Sequence, residues 1–124
     1  MVSDAISSLA GHKYINLETY RKNGEAVATP IWFAADGEKI LIVTRSQTGK
    51  IKRLQANKSV RFMPCGFKGE PKGEWIKGRA AFCSPEELRR AVELRNKKYG
   101  LQARLVGVLS RSKGELVAFS IIPE

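Results

Sequence analysis

The residue types able to do chemistry lie closest together in Thr44-Arg45-Ser46-Gln47-Thr48-Gly49-Lys50-Ile51-Lys52-Arg53. The segment leaves a hydrophobic run, Ile40 to Thr44, and enters a stretch with Ile51 and Leu54 three apart, which predicts a short helix over Ser46 to Ala56. A helix N-terminus presents unpaired backbone N–H groups and the positive end of the macrodipole. Glycine at 49 lets an anion approach the backbone, Ser46 and Thr48 offer hydroxyl donors, and Arg45, Lys50 and Arg53 supply full charge. Together these are the parts of a phosphate cradle. The pattern G-x-x-x-x-G-K-[ST] is absent, so this is not a P-loop. An ordinarily capped helix with a solvated basic face satisfies the same spacing.

A second feature is Thr29-Pro30-Ile31-Trp32-Phe33. Proline within a strand removes a ladder donor and marks an edge or a bulge, a kink that turns a backbone group towards a ligand. Trp32 and Phe33 equally suit the core, and Phe33 is read there. The single histidine, His12, has neither carboxylate partners for a metal nor an evident nucleophile to activate. Glu86, Glu87 and Glu93 read as capping and surface charges on a helix. No catalytic residue and no metal site is assigned.

The elements that must position these residues begin as a β-meander. A short helix is expected over residues 3–10, with Ser3 as N-cap and Ile6 and Leu9 one turn apart. Tyr14 to Tyr20 alternates apolar and polar residues as a half-buried strand does. Asn23-Gly24, a pair suited to positive φ, leads to a strand from Ala26 to Ala34, and Asp36-Gly37 leads to Ile40–Thr44. After the helix, with Asn57 as its stop, strands are expected from Ser59 through Met63 and from Glu74 to Cys83, separated by a glycine-rich loop. Ser84-Pro85-Glu86-Glu87 opens a helix that ends near Gly100, since it combines an N-cap, an N1 proline and first-turn acid. Residues 102–110 have helical spacing, and Leu116 to Ile122 is a last strand. Six strands with short helices inserted predict a mostly-β, α+β antiparallel barrel in one domain, residues 1–124. No βαβ alternation or Gly-rich dinucleotide fingerprint is present.

The hydrophobic fraction of 43% and the charged fraction of 27% are those of an ordinary globular protein. No apolar run is long enough to span a membrane, and Met1-Val2-Ser3-Asp4 lacks a basic n-region followed by an apolar run, so no secretory signal is expected. Cys65 and Cys83 fit neither a disulfide framework nor metal-ligand spacing, so reduced thiols and a cytoplasmic location are expected. With 22 basic against 12 acidic residues the net charge is +10, which favours an anionic partner without naming it.

The succession Ala28-Thr29-Pro30-Ile31-Trp32-Phe33, Asp36-Gly37, a strand ending at Thr44, Thr48-Gly49-Lys50, Lys52-Arg53-Leu54 and Asn57 resembles the pyridoxamine-phosphate-oxidase-like split-barrel proteins. More narrowly, it resembles their branch described as dependent on the deazaflavin coenzyme F420. The resemblance runs from about Tyr14 to Phe82, with Trp75, Gly78 and Arg79 in keeping. It implies a split barrel, a homodimer with cofactor sites at the subunit interface, and FMN or coenzyme F420 as cofactor; some related proteins bind haem. By match, Lys50 with Thr48, Gly49, Ser46 and Arg45 would hold the phosphate, Thr44 would sit beside them, and Pro30, Ile31 and Trp32 would lie along the ring. The C-terminus, Phe119-Ser120-Ile121-Ile122-Pro123-Glu124, departs from the substrate-phosphate motif of true pyridoxamine-phosphate oxidases.

The function so implied is a flavin-type oxidoreductase passing hydride or electrons to a small molecule, with no membrane partner. A cofactor carrier or sensor without turnover would use the same binding residues. A nucleic-acid-binding barrel is the further alternative, resting on the charge and on Trp75-Ile76-Lys77-Gly78-Arg79.

Overall fold

The computed structural model describes residues 2–124. Helix α1 (Val2–Ser7) leads to Leu9, which is buried, and Ile6 packs beside it on the core. The capping role expected of the Ser3 side chain lies outside the described residues.

Seven antiparallel strands follow: β1 (Tyr14–Tyr20), β2 (Ala26–Trp32), β3 (Ala34–Asp36), β4 (Lys39–Arg45), β5 (Ser59–Cys65), β6 (Ile76–Phe82) and β7 (Leu116–Pro123). Their order across the sheet is β2-β1-β5-β6-β7-β4-β3. Strands β2 and β3 are consecutive in the chain yet occupy opposite edges. The sheet therefore curls until its two edges meet at Phe33, a split barrel. Six strands were expected, and the seventh arises because the run Ala26 to Ala34 breaks at Phe33, where the chain passes from one edge to the other. Ile15, Leu17, Ile40, Ile42, Phe62 and Phe119 fill the interior, each with at most 1% of its surface exposed.

Helix α2 (Gly49–Ala56) presents Ile51 and Leu54 to that same core. It starts three residues later than expected, because Ser46 and Gln47 instead donate their backbone N–H groups to Glu115 and Lys113. Helix α3 (Pro85–Tyr99) has the expected capping box: the Ser84 hydroxyl accepts from the Glu87 N–H at 3.2 Å, and the Glu87 carboxylate accepts from the Ser84 N–H at 3.0 Å. Its residue Ala91 lies against Leu41 and Ala118 on the outer side of the sheet. Gly100, at φ +60°, breaks the chain into helix α4 (Leu101–Leu109), which a 3₁₀ turn (Arg111–Lys113) connects to β7. Trp75 precedes β6 rather than lying in it, since pairing with β5 begins at Ile76 opposite Phe62.

Candidate functional site

The barrel is split along one seam. β2 pairs only with β1, so its other edge is free, and Pro30 lies on this edge strand as its missing N–H requires. On the facing side, β3 covers only Lys39 to Leu41 of β4, which leaves Ile42 to Arg45 uncovered towards β2. The β3–β4 register ends at Ala34 opposite Leu41, and β2 has no pairing with β4. Trp32, Val43 and Arg95 line one cavity of about 10 Å³ near the closed end. The fold thus brings Pro30, Ile31 and Trp32 to one lip of the seam, and Thr44 and Arg45 to the other.

A side-chain knot closes the seam. The backbone of Phe33 has no strand partner, and the Tyr99 hydroxyl accepts its N–H at 3.1 Å. That hydroxyl donates to the carbonyl of Lys13 at 2.6 Å or of Phe33 at 2.9 Å. Trp32 stacks on the Tyr99 ring at 4.2 Å and 9°. The Lys98 ammonium donates to the Phe33 carbonyl at 2.9 Å and sits 3.5 Å over its ring. Burial pushes the Tyr99 hydroxyl up to about 12 and the Lys98 ammonium down to about 8.

At the start of α2 the expected phosphate donors meet different fates. Arg45 donates from Nη2 to the Gly107 carbonyl at 2.7 Å, from Nε to the Ser110 hydroxyl at 3.0 Å and from Nη1 to the Gly114 carbonyl at 3.2 Å. These bonds tie the C-terminal end of α4 to the sheet. Ser46 accepts the Glu115 N–H, and Thr48 donates to the Arg45 carbonyl. The helix has no side-chain cap and no acid in its first turn, so its first N–H groups are open. Lys50 is half-buried and forms neither a hydrogen bond nor an ion pair through its ammonium among the described residues. Burial, and then the Arg53 charge, lower its pKa. Arg53 donates from Nε to the Thr19 hydroxyl at 2.7 Å, and its Nη1 lies 2.8 Å from where a Cβ on Gly49 would stand. Two cations therefore crowd the positive end of a helix dipole.

Beside Arg53 opens a cleft of about 310 Å³ lined by Tyr20, Arg21, Lys22, Gly49, Lys52, Arg53 and Ala56, with Lys50 outside its lining. Arg21 and Lys22 belong to the β1–β2 turn and were not picked out from sequence, because nothing in their spacing ties them to α2. Beside the cleft, buried Glu18 accepts from Arg61 Nε at 2.8 Å, from Nη2 at 2.9 Å and from the Tyr20 hydroxyl at 2.8 Å. Arg61 also lies 4.8 Å over the Trp75 ring, so that tryptophan is occupied in the fold. Among the described residues no cluster of His, Cys, Asp or Glu is able to hold a metal ion.

The family model described as pyridoxamine 5'-phosphate oxidase matches residues 3–124. No curated protein sequence gives a significant match. Several solved structures share the fold. The haem-storage protein HutZ of Vibrio cholerae is 15% identical with a TM-score of 0.74, the alignment covering 98% of this chain and 89% of that one. A FAD-binding protein of Mesorhizobium loti is 16% identical with a TM-score of 0.67, covering 100% and 88%. A protein described as F420 reductase is 20% identical with a TM-score of 0.63, covering 95% and 91%.

Proposed function

The chain belongs to the pyridoxamine 5'-phosphate oxidase family, and from that premise we propose that it binds a phosphorylated flavin or deazaflavin, FMN or coenzyme F420, along the seam. It acts there as a cytoplasmic homodimeric oxidoreductase on a small-molecule substrate. The observation that carries this reading is the pair Lys50 and Arg53, two cations held at the N-terminus of α2 without an ion pair among the described residues.

The donor set suits a phosphate. It comprises the open N–H groups of Gly49 and Lys50, the Lys50 ammonium and the Arg53 guanidinium, whose Nη1 lies 2.8 Å from where a Gly49 Cβ would stand. Arg53 is bonded to Thr19, three residues along β1 from Asn16, which faces Pro30. At the rise of a strand that is about 10 Å, within reach of a ribityl chain. Pro30, Ile31 and Trp32 on one lip and Thr44 on the other would flank the ring. Lys52, Arg21 and Lys22 suit whatever negative charge continues beyond the phosphate. A second copy closing the seam would exclude water from the ring.

When bound, the cofactor supplies the hydride or electron chemistry. The part of this chain is to grip the phosphate, orient the ring and shield it. Fluorescence titration of the apo-protein with FMN and with coenzyme F420 tests the reading, alongside the Lys50→Ala variant. Micromolar binding of one of them, weakened at least tenfold in the variant, is the expected result. Failure of both to bind overturns it. Binding without turnover of any electron acceptor would make the protein a carrier.

A further inference from the structure

We infer that the outer face of α4 docks this protein onto anionic membrane surfaces. The helix is turned outwards. Its one buried side chain is Ala103, whereas Leu101, Leu105, Val108 and Leu109 are 80%, 62%, 54% and 73% exposed. At 3.6 residues per turn these four fall within about 100° of arc, on the side away from Ala103. A contiguous apolar stripe of this kind marks an interaction surface.

Charge identifies what covers it. Between Leu94 and Gly114 the sequence has no Asp or Glu, but it has Arg95, Lys97, Lys98, Arg104, Arg111 and Lys113. Arg104 borders the stripe within α4, and Arg111 and Lys113 follow in the 3₁₀ turn, all three exposed. An anionic bilayer pairs them with headgroups while the leucines enter the acyl boundary. A nine-residue helix lies on such a surface without crossing it, and no helix among the described residues is long and apolar enough to cross. The three bonds from Arg45 fix the C-terminal end of the helix, so the stripe is presented as a firm face. The net charge of +10 admits an anionic partner of any kind, and helical spacing alone does not reveal which side of α4 faces out.

Co-sedimentation with vesicles tests the inference, comparing phosphatidylcholine alone with phosphatidylcholine plus phosphatidylglycerol. The expected result is about tenfold more bound protein on the anionic vesicles, declining as salt rises. Leu105→Glu with Leu109→Glu should abolish that binding, and Arg104→Glu with Arg111→Glu should abolish its dependence on phosphatidylglycerol. Circular dichroism and the unfolding midpoint establish that both double variants fold. Equal binding to the two vesicle types overturns the inference, as does anionic-vesicle binding that survives the leucine changes. Light scattering gives the other occupant its outcome. If the wild type ignores vesicles and the leucine variant lowers its oligomeric state, the stripe belongs to a second copy.

Discussion

The Tyr99 hydroxyl accepts the N–H of Phe33 at 3.1 Å, so a side chain of α3 completes the backbone bonding at the residue where the sheet changes edge. Phe33 is buried, and no ladder partner is available to it. Tyr99→Phe keeps the ring that stacks on Trp32 and leaves that N–H unpaired. The expected cost is about 1–2 kcal/mol of stability, read from urea unfolding. An unchanged midpoint would mean that the backbone finds another partner.

Arg45 stands beside the proposed phosphate site, but its guanidinium is already committed to Gly107, Ser110 and Gly114. Two of these acceptors are backbone carbonyls at the end of α4 and its following turn, and the Gly107 carbonyl also accepts from the Ser110 hydroxyl at 3.4 Å. Arg45→Ala should cost about 1–2 kcal/mol of stability and leave cofactor affinity within about twofold, a difference of only a few tenths of a kcal/mol. A tenfold loss of affinity at unchanged stability would assign Arg45 to the phosphate instead.

The strand meander and the capped helix after Ser84 were legible because period-two alternation and a capping box are local signals. The break at Phe33 was not, since it is set by curling of the whole sheet and by Tyr99, 66 residues away. The same holds at the site. Gly49, Lys50 and Arg53 could be picked out because they belong to one short segment. Arg21 and Lys22 could not, because β1 and α2 meet only in the folded barrel. Arg45 and Ser46 show the converse, with suitable chemistry that long-range partners have taken up.

Glu18 is buried, and Arg61 holds its carboxyl below the usual carboxylate range by hydrogen bonding, assisted by the Tyr20 hydroxyl and by the Arg61 charge, against burial. A carboxyl whose folded pKa lies below its unfolded one stabilises fully above the unfolded value, about 4.5, and loses that contribution as pH falls through the folded value. Glu18→Gln should therefore lower the unfolding midpoint at pH 7. The gap to wild type should narrow below about pH 4.5. A gap that is constant with pH would remove the ionised pair from the explanation.

Gly49 has an ordinary negative-φ backbone, so alanine fits the chain there. Its Cβ would push on the Arg53 guanidinium that folds over the helix N-terminus. Gly49→Ala should raise helix stability by up to about 1 kcal/mol while weakening cofactor binding about tenfold, roughly 1.4 kcal/mol. Stability and affinity falling together would point to general damage rather than displacement of the Arg53 guanidinium.

Lys50 separates the two properties most sharply. In the protein alone its ammonium is half-buried beside Arg53, and both burial and that neighbouring charge disfavour protonation. Lys50→Ala should leave the unfolding midpoint unchanged or raised, and weaken phosphate-bearing cofactor by about 1.5–3 kcal/mol. A bound phosphate favours the charged form, so binding takes up a proton wherever the free lysine is deprotonated. Affinity should hold steady at neutral pH and decline on the alkaline side, starting below the 10.5 of an ordinary lysine. Lys50→Arg, which stays charged, should shift that decline to higher pH in a fluorescence titration from pH 7 upward. The same decline in both proteins would place the titrating group elsewhere.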